Sequence, residues 1–153
     1  GRLRTEEGMG VVVRLVFIRI RKHWIGSSRM GKMKERFHYA IANEINVFPI
    51  SEMMDEMIVD MVAWFLERNE MEGLVLNVYL KQELDCWGTC EKVGASEYDI
   101  QVSVQQNIRD AIATLMHELV HVQQWVNNKW SGDGEDEAVA RQYSLADKYW
   151  NGE

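Results

Sequence analysis

Between Asn107 and Asn127 the apolar residues Ile108, Ala111, Ile112, Leu115, Met116, Leu119, Val122 and Val126 recur every three or four positions. That spacing lays them along one stripe of an α-helix. Asn107 offers a side-chain cap and Asp110 places an acid near the positive end of the helix dipole. The pattern frays at Asn127-Asn128. A helix this long with one apolar side is stable only when that side is buried, so the rest of the chain has to supply a surface for it.

That surface is expected from strands. Leu74–Leu80 follows a break at Gly73, and Tyr98–Val104 alternates apolar and polar residues strictly, the mark of a half-buried strand. Residues 11–20, rich in Val and Ile, predict a further strand, whereas residues 30–46 look helical, ended by Pro49. A second helix starts at Ser51 with Glu52, Asp55 and Glu56 in its first turns and runs to about Glu70. Its buried stripe is Met54, Met57, Ile58, Met61, Val62, Phe65 and Leu66. Asp85–Cys90 is expected as an irregular turn, and Ser131–Gly134 leads into a last helix over about residues 135–150. The fold class that follows is α+β: a short antiparallel or mixed sheet packed on helices. With 153 residues, 46% of them hydrophobic, one core is within reach, and we set residues 30–153 apart as a single domain.

Charge sets residues 1–29 apart as a basic segment, in part a strand or partly foreign to the native chain. Residues 1–40 carry a net charge of +7 and residues 41–153 a net −14. A basic end on an acidic body suits contact with nucleic acid or an anionic surface; a solvated tail is the plainer alternative. No apolar run approaches the roughly 18 residues that span a bilayer, and Arg14 and Arg19 interrupt the best stretch. Cys86 and Cys90 are too few for a disulfide framework and suit a reducing, cytoplasmic setting.

The chemistry sits on the central helix, at His117-Glu118-Leu119-Val120-His121. Residues four apart lie one turn above each other, so two imidazoles can meet at one tetrahedral zinc ion. Glu118 beside them is then a candidate catalytic carboxylate, taking a proton from water and handing it to a leaving amine. Two ordinary helix histidines are the bland alternative. A catalytic zinc needs a third protein ligand, and no third His follows at a useful spacing. His23 and His38 lie far upstream, in the basic segment. The acidic run Asp133–Glu137 is better placed: Glu137, before the small Ala138, is the favoured ligand and Glu135 the next. Tyr143 is a candidate donor to a developing oxyanion, or a packing residue of the last helix. The strand Tyr98–Val104 is a candidate for pairing with an extended substrate, and Gln123, Gln124 and Trp125 for lining the cleft.

These residues resemble the zincin metallopeptidases. His117–His121 matches their shared metal helix, and Glu135-Asp-Glu-Ala138 is similar to the Glu-x-Glu-Ala segment of ImmA/IrrE-like peptidases, in which the glutamate before alanine is the ligand. That segment is also similar to the Asn-Glu-Ala of thermolysin-like enzymes. Trp87-Gly-Thr-Cys90 resembles the Trp-Gly-Ser-Cys of SprT-like proteins, and small phage-encoded metallopeptidases combine such features in a similar order. The likeness covers about residues 74–150. It implies a zinc cofactor, a protein or peptide substrate, and the cytoplasm of a phage-infected bacterium. Two departures stand out: SprT-like proteins use a third histidine, and Arg141 occupies the place where thermolysin-like enzymes carry a supporting aspartate. Two other readings stay open, a nucleic-acid-associated SprT-like protease and a non-catalytic, metal-stabilised binding or virion protein.

Overall fold

A computed structural model describes residues 2–6, 9–22, 36–48 and 52–153, with side chains described for 43–48 and 56–153. Among the described residues six strands form one sheet: β1 (Arg2–Glu6), β2 (Met9–Lys22), β3 (Arg36–Phe48), β4 (Leu74–Lys81), β5 (Gly88–Lys92) and β6 (Glu97–Ser103). The helices are α1 (Glu52–Arg68), α2 (Ile108–Asn127) and α3 (Glu135–Trp150). The sheet order is β1-β2-β3-β4-β6-β5. β3, β4 and β6 run parallel, and the pairs β1–β2, β2–β3 and β5–β6 are antiparallel, so the sheet is mixed. A parallel pair needs a crossover, and α1 supplies it between β3 and β4.

Alternation along the strands sends one set of side chains into the core. Ile45 and Val47 of β3, Leu76 and Val78 of β4, and Tyr98, Ile100 and Val102 of β6 are all buried. Against them lie Ile58, Met61, Val62, Phe65 and Leu66 of α1 and Ile112, Leu115, Met116, Leu119 and Val122 of α2. Each fully buried aliphatic or aromatic side chain contributes about 1.5–3 kcal/mol relative to an exposed one. Ile108 and Val126, at the ends of the expected α2 stripe, are exposed. α3 covers α2 from the far side through Ala138, Leu145 and Ala146, the small residues letting the two backbones approach.

Three expectations are corrected. The segment expected as a helix over residues 30–46 is strand β3 over its described part, 36–48. Phe37, Tyr39 and Ile41, then Ile45 and Val47, are β-branched or aromatic at every second position, and pairing with strands on both sides outweighs the helical spacing of the Ala, Asn and Glu between them. The irregular stretch ends earlier than Cys90, since Gly88–Lys92 pairs with β6 as a short strand. As a result β6, expected to face a cleft, is flanked on both edges by β4 and β5, and its backbone has no free edge for a substrate. Among the described residues no helix is long and apolar enough to cross a membrane.

Candidate metal centre

α2 carries both histidines, and its ends are firmly set. Asn107 accepts a hydrogen bond from the Asp110 amide at 2.9 Å, closing the first turn. At the other end Asn128 adopts a left-handed conformation (φ 51°), which stops the helix and turns the chain back. The return loop uses Gly132 and Gly134, both at positive φ. Asp133 then accepts from the Glu135 amide at 3.0 Å, capping the start of α3 where Gly134 has no side chain to do so. This tight connection delivers the first turn of α3 to the face of α2 that carries His117 and His121.

It is Glu135 that arrives there. The His121 Nε2 lies 2.6 Å from its carboxylate and the His117 Nε2 3.2 Å. The donor atoms of His117, His121 and Glu135 all fall within 4.8 Å of one another. Glu137, the favoured ligand on sequence grounds, points elsewhere: its carboxylate accepts from Gln124 Nε2 at 2.9 Å and from Arg141 Nη1 at 3.0 Å. Two residues along a helix is a rotation of about 200°, so Glu135 and Glu137 cannot share one face. The alanine that marked Glu137 in the sequence, Ala138, serves to pack α3 on α2.

The hydrogen bonds behind the imidazoles decide whether a cation fits. Gln124 is buried, and its amide nitrogen donates to the Gly134 carbonyl and to Glu137, both at 2.9 Å. Its oxygen is thereby turned to His121 Nδ1, 2.9 Å away. That oxygen can only accept, so Nδ1 of His121 carries a proton and Nε2 is the ring nitrogen left to face Glu135. Gln142 Oε1 does the same for His117 Nδ1 at 2.6 Å. Both Nε2 atoms then face one carboxylate, an arrangement that needs a proton or a metal cation among the three groups. Ligand atoms of a tetrahedral zinc site, with bonds of about 2.0–2.1 Å, sit about 3.3 Å apart. The 3.2 Å separation of His117 and Glu135 is close to that spacing, the 2.6 Å between His121 and Glu135 is a hydrogen-bond distance that a bound ion would have to widen, and a His/His/Glu donor set suits zinc.

Glu118 projects from the same helix and is only 6% exposed. Burial raises its carboxyl pKa, the two imidazoles oppose that, and the Glu135 charge adds to it, for a net rise. It borders two cavities, one of about 440 Å³ beside His121 and one of about 580 Å³ beside His117. Gly88 of β5 lines both. A Cβ there would lie 2.5 Å from Thr114 Cγ2 and 3.3 Å from Glu118 Cγ, so only glycine lets β5 approach the helix so closely. Burial, followed by the Glu118 and Asp99 charges, pushes the Cys90 thiol far up, which leaves it inert. Tyr143 lines the larger cavity, where its hydroxyl donates to Asp110 at 2.7 Å.

The structure thus brings His117, His121 and Glu118 together, places Glu135 rather than Glu137 beside the imidazoles, and leaves Tyr143 bonded to Asp110. His23 and His38 lie outside the residues with described side chains. Sequence reasoning missed Gln142 altogether. Its signal was its place on α3: with helical spacing of seven from Glu135 it lies on the face turned to α2. Comparisons with family models, curated proteins and solved structures find no match.

Proposed function

We propose that the chain is a zinc-dependent metallopeptidase of the zincin type, with His117, His121 and Glu135 as ligands and Glu118 as general base. The observation that supports this most is the pair of Nε2 atoms, their rings oriented by Gln124 and Gln142, converging on Glu135 beside a buried carboxylate. Zinc held there supplies Lewis acidity, which polarises a carbonyl and makes water a competent nucleophile near neutral pH.

The rest is the work of the chain. Glu118 takes a proton from the attacking water and passes it to the leaving amine. Burial favours its protonated form, which keeps that proton on the carboxyl between the two steps. β5 has no partner on its outer side among the described strands and lies against α2 beside Glu118. An extended peptide pairing with that edge would pass across the site, the role that β6 cannot fill. Replacing Glu118 with Gln preserves shape and removes the base. Glu118→Gln is expected to retain one zinc per chain and to lose hydrolysis of an unstructured protein substrate. Hydrolysis at the wild-type rate would overturn the mechanism.

A further inference from the structure

Resting on the peptidase reading, we infer that the cavity on the His121 side is a subsite for a lysine or arginine side chain of the substrate. This cavity, about 440 Å³, is lined by Trp125, Trp130, Asp133 and Thr89 together with Glu118 and His121. Among the described residues no lysine or arginine lines it. Trp130 is 46% exposed, and its ring is stacked on no described aromatic or cation. Asp133 spends one oxygen on the Glu135 amide; its other oxygen has no partner among the described residues. Glu135 belongs to the imidazoles and Glu118 to proton transfer, so Asp133 holds the charge that a bound side chain would neutralise.

A long cationic side chain fits both features. Its methylenes and charged head can lie over an indole face, where the ring quadrupole attracts a cation, while the head reaches a carboxylate. A glutamate there would meet Asp133 and Glu118 with no lysine or arginine among the described lining residues to offset them. The cavity on the His117 side lacks this pairing. Trp87 is exposed there too, but both oxygens of Asp110 are already taken, one by Tyr143 and one by Asn107. The asymmetry assigns the basic preference to one side of the cleaved bond only. The acidic body of the chain, net −14 over residues 41–153, draws basic peptides toward the cleft as a whole.

The test uses zinc-loaded protein and one peptide sequence in which each position near the cleaved bond is in turn Lys, Arg, Leu or Glu. At one position on one side, kcat/KM for Lys and Arg is expected to exceed that for Glu by about tenfold or more. In Asp133→Asn, which can still accept from the Glu135 amide, and in Trp130→Ala, the Lys-to-Glu ratio falls toward one. Cleavage that prefers Leu or Glu, or a basic preference that both variants keep, overturns the subsite and leaves the peptidase reading intact. If no peptide is cleaved the peptidase reading fails. Binding of the same peptides to Glu118→Gln, followed by fluorescence anisotropy, then decides the subsite alone: a Lys-over-Glu preference lost in Asp133→Asn supports it, and equal binding overturns it.

Discussion

Replacing Gln124 with Leu probes the arrangement on which the metal reading depends. Leucine fills a similar volume but removes three hydrogen bonds, from His121 Nδ1, to the Gly134 carbonyl and to Glu137, each 2.9 Å. His121 would lose the acceptor that holds its proton on Nδ1, and the ring would be free to turn or change tautomer. Loss of such a partner typically weakens metal affinity by about 10- to 100-fold, or about 1.4–2.7 kcal/mol. The fold pays separately. Gln124 is 6% exposed, and orphaned buried groups cost about 1–3 kcal/mol each, so the melting temperature should also fall. Zinc affinity measured by chelator competition, on protein shown to be folded by circular dichroism, separates the two effects. Imidazole ¹⁵N shifts of the wild type should show His121 protonated at Nδ1. An affinity within threefold of wild type in Gln124→Leu, or a His121 protonated at Nε2 in the zinc-loaded protein, refutes the argument.

Two other consequences are open to direct measurement. Gly88→Ala places a methyl 2.5 Å from Thr114 Cγ2, an overpacking expected to cost about 1–3 kcal/mol in denaturant melts; Thr114→Ser removes that methyl and should recover much of the loss, and equal stability of Gly88→Ala and wild type would deny the close approach of β5. Burial, then the hydrogen bond to Asp60, pushes the Tyr149 phenol up to about 12, so the neutral form is favoured in the folded chain; its contribution is complete below pH 10 and lost as pH rises through about 12, and the stability gap between wild type and Tyr149→Phe should narrow over that window rather than stay constant.

What the sequence made legible were the elements whose signal is local. The α2 pattern from Asn107 onward, the alternation of Tyr98–Val104 and the Gly73 break each correspond to an element of the structure within a residue or two. The motif His117–His121 survives intact because a helix alone brings i and i+4 together. What failed depends on partners far away in the chain. β3 is a strand because β2 and β4 pair with it, and Gly88–Lys92 is too short and too polar to announce itself without β6 beside it. Which of Glu135 and Glu137 lies beside the histidines was hidden for a related reason. Both are acids at a helix start, and only the turn through Gly134 and Asp133 determines which of them reaches the histidines. The role of Glu137 then becomes clear in the packing: braced by Arg141, it orients Gln124 and so His121.

The most direct test of the metal centre is the zinc content of the purified chain and two single variants, by elemental analysis after dialysis against buffer without chelator. The geometry predicts one zinc per wild-type chain, loss of that zinc in Glu135→Ala, and its retention, with weakened affinity, in Glu137→Ala. A wild type without bound metal, or a Glu135→Ala chain that keeps a full equivalent while Glu137→Ala loses it, would contradict the ligand set on which the proposed activity rests.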